Sequence, residues 1–213
     1  MPWFYYAGRL LMRVSLFLFS RWQVEGRENI PGQGPLLVVA NHLHNADPPL
    51  VAVSLNRRVA FMAKEELFRS RFSSYFLRSL GAFPIHRGRL DRQALRQAQR
   101  VLDDGLALVI FPEATRSKNA QLSPAFPGAA LIAVRSGALI LPMGITGTEK
   151  IRGAIWWLHR PRITVNIGHP FHLPPVKDKL SRTELAGLTD FIMGHIAELL
   201  PVEYQGNYAS KES

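Results

Sequence analysis

Cysteine is absent from all 213 residues. That excludes a disulfide framework, a cysteine nucleophile and thiolate metal sites, and it suits a reducing compartment. No apolar run reaches the roughly 20 residues that a membrane-spanning helix requires. The N-terminal stretch from Leu10 to Phe19 is interrupted by Arg13. Acidic residues are scarce beside basic ones, 16 against 26, and the net charge of +10 points to a polyanionic partner. Nucleic acid, an anionic membrane and a phosphorylated substrate all meet that condition. Internal repeats and low-complexity segments are also missing. What remains is 47% apolar and 20% charged, the composition of a globular domain large enough to bury a core.

The N-terminus carries Trp3, Phe4, Tyr5 and Tyr6 ahead of the interrupted apolar run, with Arg9, Arg13, Arg21 and Trp22 interspersed. No small-residue cleavage site follows, as a signal peptide would need. Aromatic anchors, an apolar face and arginines able to snorkel to lipid phosphates read better as an amphipathic helix at a membrane interface. Residues 1–25 are therefore expected to form a membrane-associating segment, residues 26–205 one globular domain, and residues 206–213 a loose tail. A turn-rich stretch, Gly26 to Gly34, separates the first two.

Beyond it, short apolar runs alternate with helical periods. Strands are expected at residues 36–40, 59–63, 81–87, 106–111, 138–143 and 163–167, with helices at about 49–55, 64–80, 91–104, 127–136 and 181–200. Continuous apolar strands, alternating with helices, indicate an α/β fold built on a mostly parallel, covered sheet. Such sheets place their sites at the carboxyl ends of strands.

Two polar stretches lie at such ends. Asn41-His42-Leu43-His44-Asn45-Ala46-Asp47-Pro48-Pro49 follows the run Leu36 to Ala40. Its two prolines suit the first turn of a helix. His42 and Asp47 stand five positions apart, so they meet only if the loop folds back on itself; on a continuous helix they would diverge by about 140°. The second stretch, Phe111-Pro112-Glu113-Ala114-Thr115-Arg116-Ser117, follows another buried run. An arginine among hydroxyls and a carboxylate suits a phosphate-bearing ligand. Arg87, beside His86 and Arg89, offers a second cation at a strand end.

Taken together, Asn41-His42-x4-Asp47, then Arg87 after Gly81-Ala82-Phe83-Pro84-Ile85, then Phe111 to Ser117, then Leu141-Pro142, resemble the glycerolipid acyltransferases. The 1-acyl-glycerol-3-phosphate acyltransferase group is the nearest in pattern. The resemblance implies that His42 acts as general base on the acceptor hydroxyl while Asp47 holds its imidazole. It implies that Arg87 and Arg116 clamp the acceptor's phosphate, and that Glu113 and Thr115 bind or orient the glycerol end. Backbone N–H groups near the helix N-terminus would hold the thioester oxyanion. No metal or resident cofactor is implied; acyl-CoA or acyl carrier protein would be the donor. The implied partners are a lysophospholipid and an anionic membrane surface, at the cytoplasmic face, and not nucleic acid. Two positions depart from the family's pattern: Ala114 stands where glycine is usual, and Pro127 where a basic residue is usual.

Three rivals compete. His42-Leu43-His44-Asn45-Ala46-Asp47 superficially resembles a zinc hydrolase motif, but its carboxylate is one position late and Pro48 replaces the next histidine. The basic stretch Arg87 to Arg100 would serve a nucleic-acid binder, yet it carries Asp91 and belongs to no nucleic-acid motif. A non-catalytic lipid-binding protein of the same fold is the third; the intact His42 and Asp47 argue against it.

Overall fold

The computed structural model describes residues 4–85, 92–153, 155–175 and 180–209. Seven strands form one sheet: β1 (Arg21–Glu25), β2 (Leu36–Ala40), β3 (Val59–Lys64), β4 (Ala82–Ile85), β5 (Ala107–Ile110), β6 (Leu139–Thr146) and β7 (Arg162–Ile167). Their order is β1-β7-β6-β2-β5-β3-β4. Every neighbouring pair is parallel except β6 with β7. The α/β, mostly parallel sheet expected from the apolar runs is thus present.

The central strands have no solvent face. Along β2, Leu36, Val38 and Ala40 enter one apolar cluster, while Leu37 and Val39 enter the other. The same alternation runs along β5, with Ala107 and Val109 opposed to Leu108 and Ile110. Burial on both faces removes the polar alternation of a half-exposed strand, which is why these strands read as unbroken apolar runs. Helix α2 (Asp47–Ser54) packs into the first cluster, and α4 (Arg92–Asp103), α5 (Gly128–Ser136) and α6 (Arg182–Ala197) into the second.

This layering creates the site. From neighbouring strands β2 and β5, the chain departs to opposite faces, into α2 on one side and towards α5 on the other. A crevice must open between two such departures, at the carboxyl ends of the strands.

Three features differ from the sequence reading. Residues 21–25, placed with the N-terminal segment, form an edge strand paired with β7. Its residues alternate between exposed and partly buried, so only Trp22 and Val24 carry the signal. The helix expected at 64–80 is two pieces, a 3-10 turn (Glu65–Phe68) and α3 (Arg71–Ser79). Ser70 adopts an extended N-cap conformation between them, a preference of serine that an apolar period cannot reveal. The strand expected at 81–87 is present as β4 up to Ile85, and its last two positions, His86 and Arg87, lie outside the described residues. Finally, Gly206–Tyr208 of the tail forms a single 3-10 turn, against which Tyr208 adds to the second cluster.

Helix α1 (Phe4–Phe19) lies on the α2 side, with Tyr5 and Leu16 buried. Its arginines, expected to reach for lipid phosphates, instead each hold backbone carbonyls, although Arg13 stays exposed. Arg9 donates to the carbonyls of Leu55 and Arg57, and Arg13 to that of Val53. These interactions answer carbonyls left free at the C-terminus of α2 and oppose its negative dipole end. The outward stripe of α1 is apolar: Leu10, Leu11, Val14, Phe17 and Leu18 are all exposed. Among the described residues, no helix is long and apolar enough to cross a membrane.

Candidate active site

β2 delivers Asn41 and His42 straight into the crevice. The Asn41 side chain continues the β2–β6 ladder: its amide donates to the Ile145 carbonyl at 2.8 Å and accepts from the Ile145 N–H at 2.7 Å. This pairing is the reason a polar residue can be buried directly after five apolar ones. It also holds the start of the loop.

The loop then turns on Asp47. A single carboxylate oxygen, Oδ2, accepts from Leu43 N at 2.6 Å and His44 N at 2.7 Å, and lies 2.8 Å from His42 Nδ1. Asp47 N closes the turn on the His44 carbonyl at 3.0 Å. The fold-back that the five-residue spacing demands is therefore built by the carboxylate itself. Because Oδ2 only accepts, the proton sits on Nδ1, and Nε2 is left with its lone pair. His42 is 8% exposed and Asp47 fully buried, so water does not weaken their contact. The His42 ring stacks on Phe111, centroids 4.4 Å apart at 27°.

The β5 loop fastens the other side. Glu113 Oε1 accepts from His42 N at 3.0 Å, and Oε2 from Ser123 N at 2.9 Å. Ser117 N donates to the His42 carbonyl at 2.8 Å. Both backbone groups of His42 are thus held by residues more than seventy positions away. Glu113 is 2% exposed; burial pushes its carboxyl above the ordinary range, and the N–H groups of His42 and Ser123 oppose that rise. Next to it, Ala114 has a φ of 55°. That left-handed conformation costs a residue with a Cβ about 1–2 kcal/mol, which accounts physically for glycine at this position in the resembling pattern.

A cavity of about 510 Å³ opens beside the loops. Leu43, His44, Thr115, Arg116, Ser117, Lys118, Glu149 and Arg152 line it. Three cations thus face one cavity, while Glu149 accepts from the Tyr204 hydroxyl at 2.8 Å. The Tyr204 phenol is pushed up to about 12, first by burial and then by that carboxylate, so it remains a donor throughout the neutral range. His44 is held below the ordinary imidazole range by burial, an effect that Asp47 opposes and Arg116 reinforces.

The structure brings His42, Asp47, Glu113, Thr115 and Arg116 to one edge of the sheet. Arg87 is outside the described residues. Sequence reasoning missed Lys118 and Arg152 at the cavity. Lys118 stands two residues after Arg116, but Arg152 follows β6 and reaches the cavity only because β6 neighbours β2. Four of the N–H groups among which oxyanion donors were expected are already engaged: Leu43 N and His44 N serve Asp47, Ala46 N serves His44, and Asp47 N meets the His44 carbonyl, while the two prolines that follow have none to offer.

A buried carboxylate–histidine pair at a switch point, in the same loop as Leu43 and His44 of a cationic cavity's wall, has the groups to deprotonate a hydroxyl on an anionic substrate without an enzyme nucleophile. The model of the family described as Acyltransferase matches residues 21–146, and the chain belongs to that family. It is 32% identical to the 1-acyl-sn-glycerol-3-phosphate acyltransferase of Streptococcus pneumoniae over 76% of this chain and 62% of that protein. The chloroplast enzyme of the same name from Arabidopsis thaliana is 28% identical, over 79% of this chain and 48% of that protein. The chain thus spans about half to three-fifths of the length of these curated relatives. Among solved structures, the 1-acyl-sn-glycerophosphate acyltransferase of Thermotoga maritima superposes with a TM-score of 0.69 at 30% identity, over 92% of this chain and 78% of that one.

Proposed function

We propose that this chain moves a fatty acyl group from an acyl thioester, acyl-CoA or acyl carrier protein, to the free hydroxyl of lysophosphatidic acid, giving phosphatidic acid. The observation that carries the reading is the His42–Asp47 contact, with its Nδ1–H tautomer imposed by a carboxylate that two backbone N–H groups also hold. His42 Nε2 takes the proton of the acceptor hydroxyl as its oxygen attacks the thioester carbonyl. The C–S bond then breaks, and the imidazolium returns the proton to the leaving thiolate. Asp47 stabilises the imidazolium between these steps. The arrangement is that of a serine hydrolase triad with the substrate's hydroxyl in place of serine.

Arg116 receives the acceptor's phosphate, with Lys118 and Arg152 adding positive charge across the cavity and Thr115 offering a hydroxyl at its mouth. Arg87 remains a further candidate cation. The apolar outward stripe of α1 rests on the membrane, at its cytoplasmic face, where acceptor and product reside. Residues 1–20 form that attachment and the sheet from β1 onward the catalytic domain.

Glu113 acts through position, not through contact with glycerol. A glutamine there accepts from only one of His42 N and Ser123 N, and its amide group meets the other N–H donor to donor. Glu113→Gln is therefore expected to lower kcat by about 10–100-fold through misplacement of the base, with the acceptor KM changed by less than about threefold. A large rise in KM with kcat intact would return Glu113 to the acceptor.

The reading itself is tested by radiolabelled transfer from both donors to a panel of acceptors. Transfer to lysophosphatidic acid supports it; transfer to another lysophospholipid or to glycerol 3-phosphate alone keeps the chemistry and corrects the acceptor. No transfer to any acceptor removes it.

A further inference from the structure

The membrane reading for α1 leaves a deficit. Interfacial helices bind anionic bilayers through basic residues beside their apolar face, and in α1 Arg9 and Arg13 are engaged with α2. The cations beside its apolar stripe come from elsewhere in the chain.

They come from the segment between β6 and β7. It contains the 3-10 turn Trp156–His159, which is fastened to the end of α1. The Trp157 ring meets Phe19 edge-on, centroids 6.1 Å apart, and Arg160 donates to the Phe17 carbonyl at 3.1 Å. Around that contact the surface is apolar: Phe17 is 75% exposed, Leu158 58%, Ile155 57% and Trp157 42%. Lys150 and Arg152 flank it and are exposed; Arg160 and Arg162 are exposed too, each spending one N–H, on the Phe17 carbonyl and on Gln23 Oε1, whereas the one acid between 147 and 162, Glu149, is turned inward onto Tyr204. Exposed isoleucine, leucine and tryptophan within a cationic frame have the composition of a bilayer interface, with tryptophan at headgroup depth. Each nearby cation adds to attraction for anionic lipid.

We infer that residues 150–153 and 155–162 form a second bilayer-contacting element, continuous with the end of α1, whose occupant is an anionic phospholipid surface. The inference rests on the membrane reading of α1 and adds to it the source of charge. It also explains why the acceptor cavity opens where it does. Glu149 and Arg152, at the start of the same segment, line that cavity, so the segment that meets the lipid also meets the headgroup of an acceptor rising from it.

The test is cosedimentation of the full chain with phosphatidylcholine vesicles, with and without phosphatidylglycerol. The variants are Ile155→Ser/Trp157→Ser/Leu158→Ser and, separately, Phe17→Ser/Leu18→Ser in α1. The loop variant is expected to weaken binding to the anionic vesicles by about tenfold or more, with turnover of a short-chain, monomeric acceptor unchanged. Loss in the α1 variant with none in the loop variant would overturn this inference and leave the α1 reading standing. No binding by the wild-type chain would remove both. A changed oligomeric state in light scattering, without any change in vesicle binding, would make the face a contact between copies and overturn the inference as well.

Folding of the triple variant need not decide the matter. The chain has no cysteine, so Leu158→Cys carries a single polarity-sensitive fluorophore. Its emission is expected to shift to the blue on adding anionic vesicles, while the same label at Asp104→Cys, at the opposite edge of the sheet, stays unshifted. An unshifted label at position 158 beside a sedimenting protein would also overturn the inference.

Discussion

His42→Ala is expected to lower kcat for acyl transfer by about 10²–10⁴-fold, the range that a positioned general base contributes. The substitution removes Nε2, the only lone pair that the Asp47-imposed tautomer presents to the acceptor. It also takes away one of the three groups that Asp47 Oδ2 receives. The other two, Leu43 N and His44 N, remain in place, so the loop keeps its turn. Acceptor KM is expected to stay close to the wild-type value, because the cavity cations do not involve His42. Steady-state kinetics beside a thermal melt separate the two effects. Turnover within about tenfold of wild type, in a folded variant, would mean that another group takes the proton.

Asp47→Asn has the next largest effect, and its logic differs from that of a carboxylate in a looser site. Leu43 N and His44 N both require an acceptor at the Oδ2 position, so they hold the amide oxygen there and turn the amide nitrogen towards the place of Oδ1. That oxygen has no hydrogen-bond partner among the described residues. The Nδ1–H tautomer therefore survives, and only the negative charge is lost. The imidazolium formed in the reaction is left without its counter-charge in a buried setting, and kcat is expected to fall by about 10²–10³-fold with the fold retained. Asp47→Ala would strand three donors at about 1–3 kcal/mol each and confuse stability with catalysis. An asparagine variant with kcat near wild type would reduce Asp47 to a staple of the loop.

The two predictions bear on how much of the site was legible in the sequence. His42 and Asp47 were legible because their relation is local: one loop, five positions, with prolines to start the helix. The β5 stretch was legible as a polar interruption after a buried strand. Glu113 was legible as a site residue but not in its use, since a carboxylate bound to two backbone N–H groups and one bound to a ligand look the same in a string of letters. Arg152 was not legible at all. Nothing in its surroundings distinguishes it from the other exposed arginines of a chain with 26 basic residues. The arginines of α1 were misread for a related reason. Amphipathic composition says that a cation lies near an apolar face, but not whether a helix terminus or a phosphate will receive it.

The sequence by itself determined the layered α/β architecture. Strands buried on both faces must be apolar throughout, helices must carry a stripe, and both are properties of short windows. It also determined the histidine–carboxylate loop, whose geometry its own residues build. The tertiary structure decided what long-range strand order decides. Placing β2 between β5 and β6 brings Glu113 and Ser117 onto the backbone of His42 and Arg152 to the cavity. It also made a strand of residues 21–25, because an edge strand needs a partner more than a pattern, and that partner, β7, lies some 140 residues further along the chain. Strand pairing joins residues by space and not by spacing, so no window of sequence contains it.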